Sequence, residues 1–276
     1  MKPKDEVQKW EESAYYWNFF RKKIEQIYAP ITQAILSWAD VHRNHRVLDV
    51  GGGAGEPSLT IKEKTGAQIF YTDPAKQMAI AAHSEAETRK LKNFYFCISS
   101  GDHIPFPDKS FDRVVARLSM MFIPDTTQAV REILRVTTSG GKVTFAVWNH
   151  AQKNPMHSVA VAALKSYIPE DPQPPDAPGG FRFAEPGKLG SFLEKAGAVS
   201  VEDTPVDFEI SAITSIDEFW EIRSQMSESL RDKLAKLSAD QRELAANAVK
   251  KAVQNYFVDG SMRFPASIRV ISATVP

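Results

Sequence analysis

Three aspartates stand at or near the ends of short apolar runs, each beside residues that turn the chain sharply. Asp49 lies in Val47-Leu48-Asp49-Val50-Gly51-Gly52-Gly53-Ala54-Gly55, Asp73 in Tyr71-Thr72-Asp73-Pro74, and Asp102 in Ser100-Gly101-Asp102-His103. An apolar run that meets clustered glycines reads as a strand entering a tight loop. Gly51, Gly52, Gly53 and Gly55 let the backbone turn and approach a ligand that a Cβ would exclude. Open α/β sheets bind ligands at the carboxyl ends of their strands, which is where this loop falls.

Three readings of the loop compete. It can be a plain tight turn. It can be a dinucleotide loop, G-x-G-x-x-G, which sets a pyrophosphate on a helix N-terminus. The third glycine of that pattern would fall at position 56, which is Glu56, and its carboxylate repels a diphosphate. The third ligand, S-adenosylmethionine (SAM), has no phosphate and carries a sulfonium and an ammonium. Asp49 at the mouth of the loop suits those cations, and this reading accounts for the residues best.

Residues 47–55 resemble motif I of the class I SAM-dependent methyltransferases. The segment from Ser100 to Asp112 is similar to the G-D-x-x-x-L-P-F-x-D-x-S-F-D stretch of the ubiquinone/menaquinone-type (methyltransferase type 11-like) small-molecule branch. The resemblance is strong over residues 40–148. It implies SAM as cofactor, with S-adenosylhomocysteine as product. It places Asp73 at the two ribose hydroxyls, with Pro74 and Met78 against the adenosine. Asp102 matches the residue that pairs with the adenine amino group, and His103 the position whose backbone N–H meets the ring. Arg117 stands where the family's backbone contacts the methionine end. Gly52 departs from the commoner motif, in which Cys, Ala or Ser is frequent, and the smaller residue adds no clash.

The elements that must position these residues follow from pattern. Apolar runs at 46–50, 68–72, 94–98, 111–118 and 142–148 predict five strands. Helices are predicted between them, with Pro74 opening the second at a first helical position. A capping box, Asp125 to Gln128, starts a helix that buries Val130, Ile133 and Leu134, and Gly140 and Gly141 end it. Strands alternating with helices imply right-handed βαβ units. The expected fold is α/β: a Rossmann-like, doubly wound, mostly parallel seven-stranded sheet with an N-terminal helical lid and an inserted helical cap. Its expected segments are a lid at 1–40, in which Pro30 separates two helices, a SAM-binding core at 41–148, and a cap or loop at 149–185. A core helix and strand at 186–210, a helical insertion at 211–260 and a final strand at 261–276 complete it. Pro169, Pro172, Pro174, Pro175 and Pro178 suggest a long loop in the cap. Ser215 to Glu218 and Ser238 to Gln241 are two further capping-box patterns, each opening a helix.

An acceptor is expected above the carboxyl ends of the fourth and fifth strands, near Ser119, Met120, Trp148 and His150. Phe181 and Phe183, beside Gly179 and Gly180, are candidates to line its pocket. Methyl transfer needs a base only if the nucleophile arrives protonated, and His150 is the candidate, with His157 in reserve. Tyr16 and Trp17 of the aromatic N-terminal helices are candidates to touch the cofactor.

Other classes fit less well. The segment after the fourth strand, Arg117-Leu118-Ser119-Met120, lacks the [DNS]-P-P-[YF] loop of amino-methylating DNA enzymes, and no acidic metal ligands stand there, so no metal is expected. Cys97 is the only cysteine, which excludes an intramolecular disulfide, a Cys-based zinc site and arsenite chemistry, and it lies within a strand, where cytosine-C5 nucleophiles do not. The 34 basic and 34 acidic residues cancel, which argues against a nucleic-acid partner. With no signal-type N-terminus and no membrane-spanning run, a cytoplasmic protein acting on a small-molecule acceptor is expected. A non-catalytic SAM-binding regulatory module and a nicotinamide (NAD)-linked oxidoreductase are the alternatives. Oligomeric state is not readable from the sequence.

Overall fold

The computed structural model describes residues 3–168, 174 and 176–276, so Pro169, Pro172 and Pro175 lie outside the described residues. Helices α1 (Pro3–Phe19) and α2 (Arg21–Ala39) precede strand β1 (Arg46–Val50). An alternation follows: α3 (Ser58–Thr65), β2 (Gln68–Asp73), α4 (Lys76–Thr88), β3 (Phe94–Ile98), β4 (Phe111–Arg117), α5 (Thr126–Val136) and β5 (Thr137–Trp148). The remainder comprises α6 (Pro155–Leu164), α7 (Gly190–Lys195), β6 (Val199–Ile213), α8 (Ile216–Met226) and α9 (Glu228–Ala235). The chain closes with α10 (Ala239–Val253), β7 (Phe257–Val258) and β8 (Ser261–Thr274).

The sheet runs β3-β2-β1-β4-β5-β8-β6, a path of seven strands, and the two-residue β7 pairs off it with β8. β1 to β5 pair in parallel, and β8 lies antiparallel to β5. The Rossmann-like, mostly parallel sheet expected from the alternation is therefore present. Its strand order reverses between β1 and β4. Successive connections leave that point in opposite directions, which opens a crevice at the carboxyl ends of these two strands. Val47, Leu48 and Val50 of β1 and Val114 and Val115 of β4 are buried, as a sheet covered on both faces requires.

The chain divides into two compact units. One contains Ile31–Asn149, Ala177–Val206 and Ile268–Pro276, and so holds β1 to β5 with α3, α4, α5 and α7. The face of α5 formed by Ala129, Val130, Ile133 and Leu134 is buried there, and the Asp125 carboxylate caps the helix by accepting the Gln128 N–H at 2.9 Å. Arg269 and Asp203 form a buried ion pair at 2.7 Å in the same unit. The other unit contains Met1–Pro30, His150–Asp176 and Asp207–Ser267. It is mainly helical, and Ala245, Val249 and Val253 of α10 are buried in it. The divisions fall at Pro30, Asn149, Asp176, Val206 and Ser267, against segment ends expected at 40, 148, 185, 210 and 260.

Several local expectations need correction. Pro30 does not separate two helices: α2 runs through it, and the interruption is at Phe20. A proline removes one helical N–H, and the flanking turns of α2 outlast that single loss. Pro74 is not the first residue of α4. The Asp73 side chain accepts the Ala75 N–H at 2.9 Å, and the helix starts at Lys76. Gly140 and Gly141 do not end α5, which stops at Val136. They lie within β5, where the Gly140 N–H bonds the Val275 carbonyl at 2.8 Å. Within the segment expected as a cap or loop, α6 occupies ten residues. Ser238 and Gln241 form the reciprocal capping box expected of them, whereas the Glu218 carboxylate takes the Thr214 hydroxyl and Lys23 while Ser215 caps the Glu218 N–H.

Candidate functional site

The loop after β1 is pinned on one side by β2. The N–H groups of Gly51 and Gly52 donate to the Thr72 carbonyl at 2.8 and 3.0 Å. The Gly53 N–H donates to Asp73 Oδ2 at 2.9 Å, and its carbonyl accepts the Tyr71 hydroxyl at 2.6 Å. Gly53 has φ +53°, and a Cβ built there would meet nothing within 4 Å, so the loop opens to free space at that position. On the sheet side there is no such room. A Cβ on Gly52 would lie 2.5 Å from the Tyr71 ring and 2.8 Å from Asp49 Oδ2. The Tyr71 ring fills the space that a side chain at position 52 would use.

The loop is also tied to the strand across the crevice. Ser119, after β4, donates its hydroxyl to the Val50 carbonyl at 2.5 Å. A Cβ on Gly51, at φ +70°, would lie 2.6 Å from the Ser119 Cβ. Leu118, immediately before, is held at φ +59°, a conformation costly for a branched residue.

Asp49 is fully buried beneath this loop. Its Oδ2 accepts the Ser58 hydroxyl at 2.6 Å, while Oδ1 is sequestered with no hydrogen-bond partner among the described residues. Burial pushes its carboxyl from 3.8 up to about 7. The Ser58 hydrogen bond and the Arg117 guanidinium pull it down, and Glu56 and Asp73 push it further up. Arg117, at the end of β4, is oriented by donation to the Thr32 hydroxyl at 3.1 Å. Ser58, Tyr71 and Thr32 belong to no spacing pattern that would have singled them out.

The remaining residues of the same unit group as follows. Met78 is buried on α4, and Pro74 is half-buried before it. Asp102 is half-buried in the loop after β3. The backbone N–H of His103, the one expected to meet a purine ring, donates to the Ser100 carbonyl at 3.1 Å. Met120 is buried in a short 3-10 turn after β4, and Trp148 is buried at the end of β5. The segment carrying Phe181 and Phe183 is fastened to the stretch after β4. The Gly179 N–H donates to the Met121 carbonyl at 3.0 Å and Arg182 to the Ile123 carbonyl at 2.7 Å. Phe183 is buried edge-on against Phe192, so it packs in the core, while Phe181 is half-buried.

His150, Tyr16, Trp17 and His157 belong to the helical unit. The His150 carbonyl accepts from Lys153 N–H at 2.9 Å and Asn154 Nδ2 at 3.1 Å, which fixes its backbone two residues after β5. The Arg231 guanidinium lies 4.6 Å over the Tyr16 ring, and Trp17 meets Trp10 edge-on at 6.3 Å. His157 contacts Arg223, and burial first, then the guanidinium, holds its pKa well below 6.5. Among the described residues no group of side chains is arranged to hold a metal ion, and no helix is long and apolar enough to cross a membrane.

Comparison with known proteins agrees with the geometry of the loop. Residues 48–145 match the family described as Methyltransferase domain. The chain is 30% identical over 138 residues to the methyltransferase GfsG of Streptomyces halstedii, covering 50% of this chain and 49% of that protein. It is 29% identical over 122 residues to the aklanonic acid methyltransferase DauC of Streptomyces sp. (strain C5), covering 44% and 56%. The chain thus spans about half the length of the curated relatives it matches. The solved structure of the YcgJ protein of Bacillus subtilis superposes with a TM-score of 0.58 at 17% identity, over 90% of this chain and 99% of that one, which speaks to the fold alone. Motif, sheet order and family match all fall on residues 48–145, the stretch of this chain that is similar to a methyltransferase domain.

Proposed function

We propose that the chain binds SAM in the loop after β1 and transfers its methyl group to a small molecule, releasing S-adenosylhomocysteine. The observation that carries this reading is the buried Asp49 carboxyl, with one oxygen unpartnered among the described residues, beneath a glycine loop that is open at Gly53. A buried acceptor oxygen asks for a donor, and a cationic ammonium fits it where a pyrophosphate does not. The residues present suit the cofactor: Asp49 for the cationic methionine end, Asp73 for the ribose hydroxyls, Pro74 and Met78 beside the adenosine, and Asp102 for the adenine amino group. Glu56, where a dinucleotide loop needs its third glycine, disfavours NAD.

When bound, SAM supplies a methyl group already activated by the sulfonium. The task left to the chain is to hold donor and acceptor in line and to keep water out. Asp73 positions the loop through Gly53 and is the proposed acceptor for a ligand hydroxyl. Ser119 joins the two strand ends that flank the crevice. Met120, Trp148 and Phe181 are the side chains proposed to meet the acceptor, Phe183 supporting them from the core. For an acceptor that arrives protonated, His150 is the proposed base. That DauC is named for aklanonic acid supports a small organic acceptor here.

Calorimetric titration with SAM, S-adenosylhomocysteine and NAD in parallel tests the donor site. Micromolar binding of both adenosyl ligands with no NAD binding is expected. Binding of NAD alone overturns it.

A further inference from the structure

In the helical unit, α1 and the start of α2 present a narrow stripe to solvent. Gln8, Glu12, Tyr15, Phe19, Lys22 and Gln26 are exposed, at spacings that alternate between four and three residues. Successive α-helical residues turn by about 100°, so these six lie within about 80° of one another round the helix. The interruption at Phe20 does not break the stripe. The Phe20 N–H donates to the Tyr16 carbonyl at 2.9 Å and the Ile24 N–H to the Phe20 carbonyl at 3.0 Å, so α1 leads into α2 along one helical path. The opposite side is committed to packing: Ser13, Ala14, Arg21, Ile24, Ile27 and Tyr28 are buried.

The centre of the stripe is aromatic. Tyr15 and Phe19 are 68% and 65% exposed, and their rings stack at 6.1 Å with 19° between the planes. Tyr16 meets Tyr15 edge-on at 5.2 Å and Phe20 meets Phe19 edge-on at 4.9 Å, so four rings form one surface. Single exposed apolar residues are ordinary, whereas a contiguous exposed patch marks a place of interaction. The charges lie at its two ends, Glu12 before the rings and Lys22 after them, with Glu12 accepting the Gln8 amide at 3.0 Å along the stripe.

The order of the residues says what covers the patch. Tyr15 and Phe19, Glu12 and Lys22, and Gln8 and Gln26 are three pairs, each centred on Trp17. Laid antiparallel on a copy of itself, the stripe sets Tyr15 against Phe19, Glu12 against Lys22 and Gln8 against Gln26, each twice over. Parallel pairing sets Glu12 on Glu12 and Lys22 on Lys22, which repel. An anionic lipid surface meets Glu11 and Glu12 at one end. We propose that this stripe joins two copies of the chain, packed antiparallel about a twofold axis level with Trp17. A twofold interface must be self-complementary, and alternating three- and four-residue spacing is the seam along which two helices pack. The rings supply the apolar contact, while the exposed ion pairs set orientation more than strength. The pairing holds or fails independently of the SAM reading.

Sedimentation velocity of the whole protein, over concentrations up to about 200 μM, tests it. A dimer with a micromolar dissociation constant is expected. Phe19→Asp should weaken it about tenfold or more. Lys22→Glu, which places two acids against two, should weaken it about fivefold, and adding Glu12→Lys to Lys22→Glu should restore the wild-type affinity. All three positions are exposed, so the variants keep the fold, and the two charge variants control for one another. A wild-type monomer throughout, a dimer untouched by Phe19→Asp, or a charge-swapped protein no tighter than Lys22→Glu alone overturns the proposal. A monomer that binds phosphatidylglycerol vesicles through Phe19 overturns it too, and assigns the patch to a lipid surface.

Discussion

The side chain of Asp73 and the backbone of Gly53 form one unit: Oδ2 accepts the Gly53 N–H at 2.9 Å and so shapes the loop from the neighbouring strand. The same carboxylate accepts the Ala75 N–H through Oδ1 and starts α4. One residue thereby fixes both walls against which an adenosine would rest. Asp73→Ala releases two N–H groups and removes the acceptor proposed for the ribose. S-adenosylhomocysteine should bind about 5- to 150-fold more weakly, the equivalent of about 1–3 kcal/mol. Calorimetric titration checks this, and affinity equal to that of the wild-type protein removes Asp73 from the site.

Tyr71 and Gly52 exclude one another's side chains. Gly52→Ala introduces a Cβ 2.5 Å from the Tyr71 ring, beneath a loop held by three strand hydrogen bonds. Overpacking of this kind costs about 1–3 kcal/mol. Urea denaturation should show that loss for Gly52→Ala, and Tyr71→Leu in the same chain should recover part of it, a coupling of about 0.5–3 kcal/mol. Additive effects of the two substitutions would mean that the ring does not set the residue at position 52.

Much of this region was legible in the sequence because its signals are local. A strand, a glycine cluster and a helix follow one another within residues 46–65, and their order leaves few ways to fold. Tyr71 and Ser58 were not legible, because their partners, Gly53 and Asp49, lie across the loop and no spacing rule pairs them. Pro30 misled for the opposite reason. Its local effect on a helix is real, but packing of Ile27, Ile31 and Ile35 along α2 outweighs one missing hydrogen bond.

His150 follows the carboxyl end of β5 by two residues, with its carbonyl held by Lys153 and Asn154. His150→Ala leaves S-adenosylhomocysteine affinity unchanged and slows turnover of an acceptor that must lose a proton. The reduction expected for loss of a general base is about 10²- to 10⁴-fold. Single-turnover rates on the acceptor, once found, measure this directly. Unchanged rates would mean that the acceptor arrives already nucleophilic, or that another group takes the proton.

Asp49 makes stability and cofactor affinity depend on pH in opposite senses. Burial raises its carboxyl from 3.8 to about 7, so between those values the folded chain keeps a proton that the unfolded chain has released. A folded-state pKa raised in this way contributes stability that is complete below about pH 4 and is lost as pH rises through about 7. Three pKa units correspond to a loss on the order of 4 kcal/mol. Asp49→Asn cannot ionise, so its stability relative to the wild-type protein should climb between about pH 4 and pH 7 in urea denaturation. The ammonium of S-adenosylhomocysteine prefers the ionised carboxylate, so its affinity for the wild-type protein should fall below pH 7, approaching tenfold per unit, and Asp49→Asn should flatten that slope. Parallel stability profiles for the two proteins would show that Asp49 is already ionised in the folded chain, with Arg117 outweighing burial.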